Sequence, residues 1–179
     1  MIMPPRLRKA SLAAHIGCSV GWLGAVVGFL ALAIAAMTAE DRQVVHAAYI
    51  AMDLMGWSAL VPLSIATLLT GILQSLGTAW GLIRHYWVLM KLLITVMATA
   101  VLMMYMQTLR HLADAAMGTA PAAGDILPSF SPVLHAGAAL LALLVALVLS
   151  VFKPRGVTGW GIHRKSSVTN ATSNLNHLT

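Results

Sequence analysis

Residues 10–39 read ASLAAHIGCSVGWLGAVVGFLALAIAAMTA and contain no Asp, Glu, Lys or Arg. Three further segments, at 54–83, 92–109 and 126–152, also lack these charged residue types. Each segment is as long as the roughly 18 to 20 apolar residues that a bilayer-spanning helix requires. The sequence therefore predicts an all-α fold, namely a four-helix transmembrane bundle.

The composition leaves little material for anything besides this bundle. The chain has 179 residues, of which 59% are hydrophobic and 9% are charged, and its mean hydropathy is +0.85. These values argue against a water-soluble globule and against a second large domain. We predict a membrane domain over residues 1–156 and a disordered cytoplasmic tail, rich in Ser, Thr and Asn, over residues 157–179. The helices are expected at about 10–37, 44–76, 87–109 and 133–152.

Two segments depart from simple straight helices. The second predicted helix is longer than a perpendicular span requires, which predicts tilt, a kink at Pro62 or projection beyond the bilayer. Residues 117–132 combine several Gly and Pro residues and are predicted to form a loop rather than continuous helix.

The distribution of charge predicts the orientation of the bundle. Lys and Arg lie mainly at the amino terminus, between the second and third helices, and in the tail, whereas Glu40, Asp41, Asp114 and Asp125 lie in the other two loops. This is the positive-inside pattern of an even number of spans, and it predicts both termini in the cytoplasm, N-in/C-in. The net charge of +6 follows this orientation and does not indicate nucleic acid. The predicted partner is the lipid bilayer, with a homo-oligomer or a second membrane protein left open.

Polar residues of the second helix form one side of a candidate site at membrane depth. His46, Tyr49, Asp53 and Trp57 follow steps of three and four residues and therefore share one helix face. An Asp at the centre of a membrane helix costs at least about 2.5 kcal/mol, so its presence calls for a structural or functional reason.

The third and fourth helices carry polar residues at a similar depth. Met103, Gln107 and His111 are spaced four residues apart on the third helix, and His135 lies near the start of the fourth. Histidines on three helices can bind a b-type heme through two imidazoles, or copper through mixed His and Met ligands. The predicted metal ligands are His46, His111, His135 and Met103.

Other interpretations of these residues stay open. Asp53 can orient a histidine or carry protons, with Gln107 as a polar neighbour. In a bundle without any cofactor, the histidines sit at the wet interface or cap a helix, and Asp53 hydrogen-bonds Gln107 or a hydroxyl.

A second candidate site lies in the half of the bundle that carries the termini. His15 and Lys91 each lie about one turn inside their helices, the first and the third. Lys91 can extend its ammonium to the headgroups. A Ser or a backbone carbonyl can satisfy His15, or both residues can contact a cofactor or substrate.

Two short strings indicate a resemblance to known proteins. Residues 12–24, LAAHIGCSVGWLG, and 86–93, YWVLMKLL, resemble a class of small bacterial four-helix membrane proteins of unknown function. More distantly, the arrangement is similar to the cytochrome b-like group, which includes the copper-resistance D family and the HemJ-type protoporphyrinogen oxidases. In the HemJ-type enzymes a first-helix His and a third-helix Lys matter for heme binding, and His15 and Lys91 occupy matching places.

The resemblance implies a bacterial cytoplasmic (inner) membrane protein and a heme b cofactor. The functional hypothesis is a polytopic membrane protein that binds b-type heme or a metal for electron transfer or oxidation. The competing hypothesis is a non-catalytic bundle, either an accessory subunit or a small copper or proton transporter.

Overall fold

The computed structural model describes residues 3–77, 86–119 and 129–152 of the chain. Within these ranges, α2, a π-helical turn and α3 form one continuous rod, Arg42–Gly77, hereafter the second rod. This rod and the other three long helices are each long and apolar enough to cross a bilayer, so the predicted four-helix transmembrane bundle is confirmed. The elements are α1 (Pro5–Thr38), α2 (Arg42–Met55), the π turn (Gly56–Leu60), α3 (Val61–Gly77), α4 (Tyr86–Ala116) and α5 (Ser131–Phe152).

The helices extend beyond their predicted ends. α1 begins at Pro5 rather than at residue 10, because a proline in the first turn needs no hydrogen-bond partner for its nitrogen. α4 continues past residue 109 to Ala116, where Arg110 Nε and Asp114 Oδ1 lie 3.9 Å apart across one helical turn. Gly118, with φ of 71°, then provides the left-handed residue that commonly ends a helix. The predicted disordered tail, 157–179, lies outside the described residues.

The irregularity predicted at Pro62 is a π-helical turn that immediately precedes it. Val61 N–H donates to Gly56 O, five residues earlier rather than four. Pro62 has no N–H, and in a regular α-helix its ring would clash with the carbonyl of Ser58. The wider turn accommodates the proline while the rod stays continuous.

Consecutive rods run antiparallel. Met3 N donates to Gly77 O over 3.3 Å, and the side chain of Lys91, early in α4, donates to Ser150, late in α5. Both described chain ends therefore lie at the same end of the bundle. We call this the terminal end and the opposite one the loop end. The terminal end holds Pro5, Gly77, Tyr86 and Phe152, and the loop end holds Thr38, Arg42, Ala116 and Ser131.

The core of the bundle lies mainly between α1, the second rod and α4. Its largest fully buried side chains include Trp22, Tyr49, Met52, Met106 and Leu109. Leucines, valines and isoleucines cover much of the outer surface, as expected where lipid rather than water is the solvent. The orientation with both termini in the cytoplasm stays a prediction.

Candidate functional site

A cavity of about 430 Å³ lies between α1, α4 and α5. Trp22 and Phe29 form its α1 wall, and the α5 wall consists largely of alanines, whose short side chains leave the space open. Leu93 and Met97 of α4 also line it and are more than half exposed, so the cavity opens toward the lipid-facing surface. Cavities of about 300 to 1,000 Å³ with mainly apolar walls and a few polar groups are typical of small-molecule sites.

His135 lines this cavity and is held in one orientation. Its Nδ1 lies 2.9 Å from Ser131 O, one helical turn earlier, and its ring stacks on Tyr105 with 4.0 Å between centroids and 18° between planes. A carbonyl oxygen only accepts hydrogen bonds, so in the neutral imidazole this contact requires the proton on Nδ1 and leaves the lone pair on Nε2. Nε2 is therefore available as a ligand or acceptor atom.

Two tyrosines connect the His135 region to the rest of the bundle. Tyr49 is 0% exposed, and its hydroxyl accepts a hydrogen bond of 2.9 Å from Ser129 N, which anchors the start of α5 to α2. The buried Tyr105 hydroxyl makes no hydrogen bond of ordinary geometry with the described residues, although Ser131 is close enough to influence it. Tyr105 also lines the cavity.

The residues predicted on the third helix face a different region. Met103, Gln107 and His111 line a shallow depression together with Trp57 of the second rod. Of the four residues predicted on one face of the second helix, all of them described, Trp57 alone lines this depression. His46 is half-buried on α2 and lines neither the cavity nor the shallow depression. His111 is exposed.

The three loop-end histidines do not converge. In the described parts of the chain, no three or more His, Cys, Asp and Glu side chains lie close enough to hold a metal ion. The physical reason is that His135 stacks inward on Tyr105 whereas His111 lies on the exposed side of α4. His46, His111 and His135 were predicted to bind copper together with Met103. In the described residues these three histidines do not form one cluster.

Asp53 is the carboxylate predicted at membrane depth. It is half-buried, and its Oδ1 is shielded from solvent with no hydrogen-bond partner in the described ranges. The predicted alternative in which Gln107 or a hydroxyl satisfies this residue is therefore not seen at Oδ1. The atom is available to a proton or to a polar ligand.

At the terminal end, His15 and Lys91 belong to one polar cluster. His15 Nδ1 lies 3.0 Å from Thr70 Oγ1, so a threonine hydroxyl is one partner of His15. Lys91 donates to Ser150, and its Nζ lies 5.9 Å from the Trp87 ring centroid. Lys91 is also close enough to His15 for their charges to interact.

Several residues of these sites carried no clear signal in the sequence. Thr70, Ser150 and Tyr105 are ordinary residues of apolar helices when read singly, because hydroxyl groups can bond to the preceding turn of their own helix. Thr70 does so, with Oγ1 2.6 Å from Ala66 O. Only the packing of different rods shows that Thr70 meets His15, that Ser150 meets Lys91 and that the Tyr105 ring stacks on His135.

No family model, curated protein or solved structure matches the chain. The resemblance to the cytochrome b-like group therefore stays a prediction.

Proposed function

We propose that this membrane bundle binds a b-type heme in the cavity between α1, α4 and α5, that His135 would hold the iron through Nε2, and that the protein transfers electrons. The observation that carries the proposal is the hydrogen bond from His135 Nδ1 to Ser131 O, next to an apolar cavity. Histidines that ligate metals almost always donate their other ring N–H to a carbonyl, carboxylate or water.

The chemistry of the cavity fits such a group. Trp22, Phe29 and the alanines of α5 provide an apolar environment, and an apolar, water-poor site is one of the factors that set the potential of a heme. The stacked Tyr105 ring limits rotation of the His135 imidazole. When bound, the heme supplies one-electron transfer, while the protein residues position the imidazole and exclude water.

His15 and Lys91, the polar pair at the terminal end, cannot supply the second ligand to the same iron. His135 and Ser150 are fifteen positions apart on α5 (135 to 150), which corresponds to about 22 Å along the helix. Lys91 contacts Ser150, and His15 contacts Thr70, seven residues before α3 ends at Gly77, so both lie toward the terminal end. Their role in heme binding, which the family resemblance implies, would thus require a separate site.

The proposal is tested by the absorption spectrum of protein purified from cells that make ample heme. We expect a Soret band that shifts when dithionite is added. A spectrum without a Soret band, unchanged by dithionite, would remove the heme proposal.

The proposed orientation places the terminal end in the cytoplasm of a bacterial inner membrane. A reporter that is active only in the cytoplasm should be active when fused after Thr179 and inactive when inserted after Gly118. The physical reason is the concentration of Lys and Arg on the terminal side. The reverse pattern of activity would contradict the orientation.

A second candidate function, proton transfer, is supported by Asp53. A buried carboxylate oxygen without a partner is costly inside a membrane, and such residues often mark proton pathways.

Asp53→Asn is expected to lower proton flux into proteoliposomes at least about tenfold, because an amide side chain neither gains nor loses a proton at ordinary pH. The unfolding midpoint should change little. A pH-sensitive dye inside the vesicles reports the flux. The matched control is Asp114→Asn, which alters a partly exposed ion pair at the loop end. Equal flux in wild type and Asp53→Asn would exclude proton transfer through this residue.

A further inference from the structure

The shallow depression at the loop end combines polar and apolar side chains from two rods. Its volume is about 450 Å³, and Trp57 forms its wall on the second rod. The α4 residues that line it are Met103, Met106, Gln107, Arg110 and His111. They recur at intervals of three and four residues and therefore share one face of the helix. Among the described lining residues, only Met106 also lines the cavity at His135, so the two sites are distinct.

Arg110 brings a positive charge to this depression and is loosely held. Its Nε lies 3.9 Å from Asp114 Oδ1, a distance that suits an ion pair but is too long for a hydrogen bond, and its side chain is 62% exposed. Gln107 lies one turn earlier on the same face and adds an amide donor. A guanidinium carries five N–H donors, so Arg110 can keep Asp114 as a neighbour and also bind an oxyanion.

The polar and apolar groups of this face follow a fixed order along α4. Met103 lies deepest in the bundle, followed toward the loop end by Gln107 and Arg110. Asp114 comes four residues after Arg110 (110 to 114), about 6 Å further along the helix axis, and its side chain is 37% exposed. An apolar surface, a cation and a carboxylate therefore succeed one another from the inside of the bundle outward.

The depth of Arg110 agrees with the edge of a bilayer. α4 has 31 residues and is about 46 Å long, whereas the hydrocarbon core is about 30 Å thick. A helix of this length centred in the bilayer projects by about 8 Å at each end. Arg110 lies six residues before Ala116 (110 to 116), about 9 Å from the end of α4. Its guanidinium is thus at the level of lipid phosphates, and Asp114 is at the level of the headgroups beyond them.

This order of charges selects one class of lipid. An anionic headgroup would bring negative charge close to Asp114, which is repulsive. The quaternary ammonium of phosphatidylcholine has no N–H to donate to a carboxylate. Phosphatidylethanolamine has a phosphate next to its acyl chains and, beyond the phosphate, a primary ammonium with three N–H donors. Its charges therefore match the order of Arg110 and Asp114 along α4.

We propose that the shallow depression binds one phosphatidylethanolamine molecule from the leaflet at the loop end. Its phosphate contacts Arg110 and Gln107, and its ammonium contacts Asp114. Its acyl chain lies against Trp57 and Met103, where a flexible thioether adapts to an irregular apolar surface. The bound lipid joins α4 to the second rod, and the site depends neither on heme nor on proton transfer.

The test measures the thermal unfolding midpoint of purified protein in neutral detergent with one added lipid at a time. The lipids are phosphatidylethanolamine, phosphatidylcholine and phosphatidylglycerol with the same acyl chains. At about ten times its dissociation constant, phosphatidylethanolamine should raise the midpoint by about 3 to 6 °C. At equal concentration the other two should raise it less than half as much, because losing a hydrogen bond to a charged group weakens binding at least about fivefold. No rise with phosphatidylethanolamine, or equal rises with all three lipids, would overturn the proposal.

Asp114→Asn and Glu40→Gln form the matched pair of variants. Both remove one negative charge at the loop end, but Glu40 is exposed between α1 and α2 and does not line the depression. Asp114→Asn should respond equally to phosphatidylethanolamine and phosphatidylcholine, whereas Glu40→Gln should keep the wild-type preference. A preference that survives unchanged in Asp114→Asn would contradict the assigned ammonium contact.

A second pair keeps the proposal testable if Asp114→Asn fails to fold. Arg110→Gln should reduce the shift caused by phosphatidylethanolamine to less than half of the wild-type value, and Arg110→Lys should recover part of it, because an ammonium still pairs with a phosphate. A full wild-type shift in Arg110→Gln would contradict the assigned phosphate contact. His135→Ala should keep the full response, so that failure of the heme proposal and failure of this one are separable.

Discussion

His135→Ala is expected to remove the Soret band from the purified protein. Among the described residues, His135 is the only histidine that lines the cavity, and the substitution deletes its imidazole ring, which stacks on Tyr105. Loss of a group that merely orients a metal ligand already costs about 10- to 100-fold in affinity, so loss of the ligand itself should lower heme content at least about tenfold. The pyridine hemochrome absorbance per mole of protein measures this content.

His111→Ala is the matched control for this experiment. His111 lies at the same end of the bundle, but it is exposed and lines the shallow depression beside Trp57 instead of the cavity. It should retain wild-type heme content and the same dithionite response. Added imidazole should restore part of the Soret band to His135→Ala, since it can occupy the space left by the side chain. Equal heme content in both variants would exclude His135 as the ligand.

Gly56→Leu is expected to be among the most destabilising single substitutions in the bundle. Gly56 is buried at the start of the π turn, where an added Cβ would lie 2.6 Å from Met106 Cε and 2.8 Å from Met106 Sδ. Met106 is 1% exposed and Leu109 is 0% exposed, so a leucine at position 56 must displace buried side chains. Overpacking of this kind costs about 1 to 3 kcal/mol. The unfolding midpoint should fall by about 2 to 12 °C.

Gly24→Leu is the corresponding control. Gly24 is exposed on α1, and a Cβ at this position would have no atom within 4 Å. Its unfolding midpoint should stay within about 2 °C of wild type, since an exposed leucine on a lipid-facing helix has no packing to disturb. Midpoints that fall equally in both variants would indicate a general effect of losing glycine and not a clash at the π turn. Circular dichroism in detergent measures both.

Some site residues could be predicted from the sequence because they are rare in membranes. Asp53 and His15 were recognisable because ionisable groups in apolar helices are costly. The loop-end cluster of three histidines was expected from matching depth alone, and the observed positions show why depth is insufficient. His111 and His135 differ in the direction they face around their helix axes, and that direction depends on how α4 packs against α1, the second rod and α5.

The sequence by itself determined the surrounding solvent and the number of rods. The length of a segment without charged residues can be read directly from the linear sequence. In lipid, a continuous segment of about 20 apolar residues satisfies its backbone hydrogen bonds by forming a helix. Only the tertiary structure decided that His15 meets Thr70, 55 residues away, and that the space beside His135 is open. Such contacts depend on the rotation and register of neighbouring helices. These are set jointly by side-chain packing over the whole bundle, and no single segment specifies them.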